Sequence, residues 1–281
     1  MNIVKAENAG FCMGVSLALH KLDKVIAQSS DCSGIYIFGS IIHNPQVVKA
    51  YAEKGIVTAA SADEIPNGAT VVIRAHGMPK EIQSELSQRG VNVVDATCPK
   101  VRDACRLIEN STSKGRQLLL YGEESHPEVK CLLSYAAEPA FVFDNPAALR
   151  SRELNPEIKY CLAAQTTQDI DMFETVSQML TDHQDLEVLH TICDATRKRQ
   201  VEAMRVADDV DFMIVAGGYN SSNTARLAQV VESRGTGTLH IETAAELPLD
   251  KLKQYRRIGL TAGASTPKQI IDEIQLALER L

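Results

Sequence analysis

The sequence has no stretch approaching the roughly 18 consecutive apolar residues that a membrane span requires, and its N-terminus lacks a basic segment followed by a long apolar run. Both absences lead to the expectation of a cytoplasmic protein with no membrane association. A disulfide framework is missing too. The seven cysteines are odd in number and follow no regular local spacing, which suits a reducing compartment and leaves some thiols free to act as metal ligands. There is no Walker A sequence, and neither Gly217-Gly218 nor Gly235 and Gly237 form a dinucleotide fingerprint. A built-in nucleotide, flavin or nicotinamide site is therefore not expected. Basic residues are scattered in a chain of formal net charge −7, so no nucleic-acid surface is expected and any anionic ligand has to be caught locally.

What the chain does contain is enough apolar material, 44% of 281 residues, for packed cores. Short β-rich apolar runs alternate with amphipathic helical stretches from end to end, the pattern of an α/β protein with mainly parallel strands. Three strands at 2–7, 91–96 and 186–192 lead to Cys12, Cys98 and Cys193, and each cysteine is followed by a helical pattern. After Cys98, for example, Val101, Ala104, Leu107 and Ile108 recur at helical period.

Two further strands in each section end in polar loops. His43, His126 and Ser221 lie 28 to 31 residues after the preceding cysteine of the three, and His76, Thr166 and Ser265 lie 64 to 72 after it. Element order repeated in register is the mark of structural repeats. Three units are therefore expected: 1–90 with Cys12, His43 and His76; 91–185 with Cys98, His126, Glu128 and Thr166; and 186–281 with Cys193, Ser221, Asn223 and Ser265. Ligands gather beyond the carboxyl ends of parallel strands, so packing about an approximate threefold axis would bring the nine loops together.

The loops also read as helix starts, with Pro45, Pro79, Pro99, Pro127 and Pro267 at or near first turns. Free N–H groups and positive dipole ends there suit a phosphate-bearing ligand in an acidic protein. Cys32, Cys105, Cys131 and Cys161 read as packing thiols in a turn, in helical patterns or in an apolar strand. The three in-register cysteines read as ligands, either of zinc with an open position or of an iron–sulfur cluster with one iron lacking a protein ligand. Glu128, in an expected first helical turn, faces two opposed influences. The helix end lowers its pKa and burial raises it.

The motifs AGFCMGV, FGSIIHNPQVV, RAHG, DATCP, SHPEV, QTT, TICDATRKRQ, NSSNT and TAGAST occur in one order between about residues 7 and 267. In this the sequence closely resembles the LytB family of 4-hydroxy-3-methylbut-2-enyl diphosphate reductases, which act last in the methylerythritol phosphate route to isoprenoids. The resemblance implies a pseudo-threefold trefoil of three α/β units around one 4Fe-4S cluster held by Cys12, Cys98 and Cys193. It further implies reductive dehydroxylation of the allylic diphosphate at the open iron, giving isopentenyl and dimethylallyl diphosphate. His43, His76, Ser221, Ser222, Asn223 and Ser265 would bind the diphosphate. Glu128 would be the proton source, with Thr166 relaying and His126 supporting at the substrate.

Cys131 and Ser134 stand where the family commonly has glycine, Cys105 where histidine is common and Tyr219 where lysine is frequent, which bears on loop geometry near Glu128 rather than on the chemistry. Since no flavin or nicotinamide motif is present, electrons are expected from a separate carrier such as ferredoxin or flavodoxin. Two rivals are a quinolinate-synthase-like dehydratase, which would not need the diphosphate set, and a non-catalytic cluster sensor, in which Glu128 would be superfluous.

Overall fold

A computed structural model describes residues 1–29, 32–137, 139–181 and 185–281. After an initial strand β1 (Asn2–Lys5), the chain makes three runs of similar element order, the first without an α-helix between its second and third strands and the last without a closing strand. Behind Cys12 come α1 (Met13–Gln28), β2 (Ile35–Phe38), α2 (Pro45–Ala52), β3 (Val57–Ala59), β4 (Thr70–Ile73), α3 (Lys80–Gln88) and β5 (Asn92–Asp95). Behind Cys98 come α4 (Pro99–Thr112), β6 (Gln117–Tyr121), α5 (Pro127–Leu133), β7 (Ala140–Phe143), α6 (Pro146–Arg150), β8 (Tyr160–Ala164), α7 (Ile170–Met179) and β9 (Glu187–Val188). Behind Cys193 come α8 (Asp194–Asp208), β10 (Phe212–Ala216), α9 (Ser222–Glu232), β11 (Gly237–Ile241), α10 (Leu249–Leu252), β12 (Arg257–Ala262) and α11 (Lys268–Glu279).

The strands make three four-stranded sheets in the orders β3-β2-β4-β5, β7-β6-β8-β9 and β11-β10-β12-β1, and every pairing is parallel. The order is the same each time. β1 completes the third sheet by pairing with β12, Asn2 opposite Arg257 through Lys5 opposite Leu260. Each strand that leads to a cysteine thus lies at the edge of its sheet, beside β4, β8 or β12. Parallel sheets covered on both faces need nearly continuous apolar strands. YCLAA in β8, with all five residues buried, and FMIVA in β10 meet that need.

In each sheet the order reverses between the first two inner strands, β2 and β4, β6 and β8, or β10 and β12. That reversal opens a crevice at the carboxyl ends, where α/β proteins bind ligands. The six polar loops follow these six strands. Fold topology therefore places the loops carrying His43, His76, His126, Thr166, Ser221 and Ser265 at switch points.

The chain divides into two compact units. The first holds residues 1–16, 42–50 and 194–281, with the β11-β10-β12-β1 sheet, and the second holds 17–41 and 51–193, with the other two sheets. In the second, α4 packs Val101, Ala104, Cys105 and Ile108 against Leu118 and Leu120 of β6 and Cys161 and Ala163 of β8. Leu107, which the sequence pattern assigns to the inner face, is exposed. Positions 101, 104, 105 and 108 already complete the apolar stripe, and 107 is turned away from it. Among the described residues, no helix is long and apolar enough to cross a membrane.

Candidate functional site

The three in-register cysteines occupy one repeated local geometry. The Cys12 N–H donates to the Ala264 carbonyl at 3.3 Å, Cys98 to Ala75 at 2.9 Å and Cys193 to Thr166 at 3.0 Å. Each acceptor lies two residues beyond the end of the neighbouring strand, β12, β4 or β8. Each cysteine directly precedes a helix, placing its thiol at the positive end of a helix dipole, where negative charge is favoured. All three are partly exposed, whereas Cys105, Cys131 and Cys161 are buried. The packing thiols differ in environment as well. A hydrogen bond with Cys131, together with burial, pushes the Cys105 thiol up, and burial does the same to Cys161.

The first unit brings together His43, Ser221, Ser222, Asn223 and Ser265. The Ser265 hydroxyl donates to the His43 carbonyl at 3.1 Å, joining the loops after β12 and β2. The loop after β10 presses on the same carbonyl, because a Cβ added at Gly218 would stand 2.7 Å from it. Only glycine permits that approach. Asn44 caps α2 by accepting from Val47 N at 3.0 Å, and Ser221 caps α9 by accepting from Thr224 N at 3.3 Å. Ser222 opens α9, and the Nδ2 of Asn223 is buried with no partner among the described residues. A buried amide donor left unsatisfied costs about 1–3 kcal/mol, a cost that an anionic ligand would remove.

The second unit brings together His76, His126, Glu128 and Thr166. His126 caps α5, its Nδ1 accepting the Glu128 N–H at 3.1 Å, so the neutral ring carries its proton on Nε2. The His76 and His126 rings meet edge to face with centroids 5.3 Å apart. Glu128 is 1% exposed. Its Oε1 accepts from the Thr166 backbone at 2.6 Å and its Oε2 from the Thr166 hydroxyl at 3.0 Å. Burial raises its pKa to about 7 and outweighs the two Thr166 hydrogen bonds, which lower it. Burial therefore wins the contest that the sequence leaves open.

Near Glu128, Cys105 and Cys131 are buried and Ser134 is half-buried. Cys131 lies 3.9 Å from Cys105 between their sulfurs and donates to the Met78 carbonyl at 3.4 Å, beneath the loop that bears His76. Gly77, at φ +80°, has no room for a side chain there, since its Cβ would meet the Cys131 sulfur at 2.6 Å. Ser134 links α5 to α3 by accepting from Lys80 N at 3.2 Å.

The residues that fix the loop before Cys12 leave no mark in the local sequence. Glu202 on α8 accepts from Glu7 N at 2.7 Å and Asn8 N at 2.8 Å, while Arg199 donates to the carbonyls of Asn8 at 3.0 Å and Gly10 at 2.7 Å. Their partners lie about 190 positions away in sequence, so no local pattern announces them. Thr191 acts comparably before Cys193, bonding both the N–H and the carbonyl of Ala164 at 2.8 and 2.6 Å.

The family model described as LytB protein matches residues 3–279. The chain belongs to the LytB family. A relative from Nitratidesulfovibrio vulgaris (strain DP4), named 4-hydroxy-3-methylbut-2-enyl diphosphate reductase, is 51% identical with both chains covered completely. A solved (E)-4-hydroxy-3-methyl-but-2-enyl diphosphate reductase, titled the terminal enzyme of the non-mevalonate pathway, is 35% identical with a TM-score of 0.71 and full coverage of both chains. The Plasmodium falciparum E-1-hydroxy-2-methyl-but-2-enyl-4-diphosphate reductase structure aligns with a TM-score of 0.93 over 98% of this chain and 87% of that one, at 24% identity, which speaks for the fold.

Proposed function

We propose that the chain is a cytoplasmic reductase of isoprenoid biosynthesis. It would convert (E)-4-hydroxy-3-methylbut-2-enyl diphosphate to isopentenyl and dimethylallyl diphosphate with one 4Fe-4S cluster held by Cys12, Cys98 and Cys193. Membership of the LytB family and the names of its full-length relatives support the reaction. The donor set fits the cofactor. Three partly exposed cysteines recur in one backbone setting, and soft thiolates are the ligands that iron–sulfur clusters take.

When bound, the cluster supplies electrons and Lewis acidity for cleaving the carbon–oxygen bond. The chain's own residues do the rest. His43, Ser221, Ser222, Asn223 and Ser265 offer neutral donors and helix N-termini to the diphosphate, and His76 adds a ring donor from its own loop. Replacing the hydroxyl by hydrogen consumes two electrons and two protons and releases water. Glu128 holds a proton near neutral pH in a dry setting, and Thr166 bonds the carboxyl through a hydroxyl that can pass it to the substrate, with His126 supporting.

The observation that carries this reading is the triple engagement of Thr166. Its N–H and hydroxyl bind the Glu128 carboxyl, and its carbonyl holds the N–H of Cys193. An acid and a proposed cluster ligand thereby share one residue. The test is anaerobic purification with iron counting, then an assay of product formation from the hydroxylated diphosphate with a chemical reductant. A cluster-loaded protein inert toward that substrate would overturn the reading. An external electron carrier such as ferredoxin or flavodoxin completes the proposal.

A further inference from the structure

Cys12 lies in the wall of an open concavity of about 360 Å³ formed within the first unit. Glu7, Phe11, Met13, Asp194 and Lys198 stand around it. Phe11 is 37% and Met13 58% exposed, a large apolar area to leave in water on either side of a cysteine. From this rim α8 runs outward with one exposed stripe, Asp194, Arg197, Lys198, Val201 and Arg205, spaced at helical period. Val201 is 54% exposed in the midst of three cations. Glu202, the other acidic residue of this stretch, is turned inward onto Glu7 N and Asn8 N.

We propose that this face, Phe11 and Met13 with the Arg197–Lys198–Val201–Arg205 stripe, is where a small acidic one-electron carrier protein docks. The proposal rests on the reading of Cys12 as a cluster ligand. Charge complementarity selects the occupant. The chain as a whole carries −7, so an acidic protein is repelled at long range and needs a local cationic surface to be steered to one place. The stripe provides Arg197, Lys198 and Arg205 against Asp194, with Glu7 on the rim of the concavity and Glu202 turned inward near Arg205, beside exposed apolar side chains, the combination of an apolar centre and a charged rim on which transient protein interfaces rely. Each docking passes one electron from the reduced carrier, which leaves oxidised. Two such passages and two protons balance the loss of the substrate hydroxyl as water.

The experiment uses the anaerobic holoenzyme, a reduced or oxidised acidic plant-type ferredoxin as probe, and dithionite-reduced methyl viologen as a small donor that needs no docking face. The double variant Arg197→Glu/Lys198→Glu is expected to raise the ferredoxin Kd, measured by calorimetry, by about 10- to 100-fold at low ionic strength and to flatten its salt dependence. Ferredoxin-driven kcat/KM should fall in parallel while viologen-driven turnover is unchanged. Met13→Glu should weaken ferredoxin binding without altering viologen turnover. A double variant whose Kd stays within twofold of the parent overturns the proposal, as does equal loss of viologen turnover. Loss of self-association in place of ferredoxin binding assigns the face to a second copy of the chain and also overturns it. A parent protein that is inert with viologen yet binds ferredoxin through the stripe would sink the reductase reading and leave the docking face standing.

Discussion

Both oxygens of the Glu128 carboxyl are engaged by Thr166, Oε1 by its backbone N–H at 2.6 Å and Oε2 by its hydroxyl at 3.0 Å. The pair sits at the switch point of the β7-β6-β8-β9 sheet, one partner following β6 and the other following β8. Burial lifts the carboxyl's pKa to about 7 against the pull of both hydrogen bonds.

Replacement of Glu128 by Gln should leave iron content unchanged and lower turnover by about 100- to 10,000-fold, the usual worth of a positioned acid. In the parent enzyme, kcat/KM should fall tenfold per unit above about pH 7, as the carboxyl loses its proton. Assays across pH 6 to 9 would check this. A variant with near-normal activity, or with the same basic limb, rules the role out.

Thr166→Val removes a hydrogen bond that favours the charged carboxylate, so the Glu128 pKa rises further and the basic limb should move to higher pH. Turnover should fall by about 10- to 100-fold if the hydroxyl passes the proton. Thr166→Ser keeps the hydroxyl and should restore both. A pH profile that does not move in the Val variant counts against the coupling.

Folding stability is linked to the same proton. The carboxyl's pKa rises from 4.5 to about 7 on folding, so its contribution is fully present below about pH 4.5 and is lost as pH rises to about 7. The loss amounts to about 3 kcal/mol, at 1.36 kcal/mol per pKa unit. Glu128→Gln stays neutral and escapes it. Denaturant midpoints should show the variant gaining on the parent between pH 5 and pH 7, with no further gain above.

Serine at Cys12, Cys98 or Cys193 should cost most of the bound iron, whereas Cys32→Ser, Cys105→Ser, Cys131→Ser and Cys161→Ser should retain it. Iron counting and the visible absorption of anaerobic protein separate the two sets. Full iron in any variant of the first set removes that cysteine from the ligand list.

Asn223→Ala takes away a buried donor that lacks a partner among the described residues. Stability in the absence of substrate should therefore hold or rise, by up to about 1–3 kcal/mol, while KM for the diphosphate substrate rises by roughly 10-fold. A matched loss of stability and activity would instead mark the residue as structural.

Much of this molecule is legible locally. Apolar runs and helical periods mark the parallel α/β order, and the three cysteines and six polar loops appear in register because each is tied to the end of its own strand. Helix starts at Pro45, Pro99 and Pro127 likewise follow from local geometry, since proline lacks an N–H and a first turn has no intrahelical N–H bond to lose. Tertiary structure decided the rest. It set Asn2 beside Arg257, tied Glu202 and Arg199 to the loop before Cys12, and turned Leu107 outward while Cys105 turned in. It also decided the direction in which the Glu128 pKa moves. Local pattern records which face of an element is apolar, but register between distant strands and the dryness of one carboxyl depend on what packs against them.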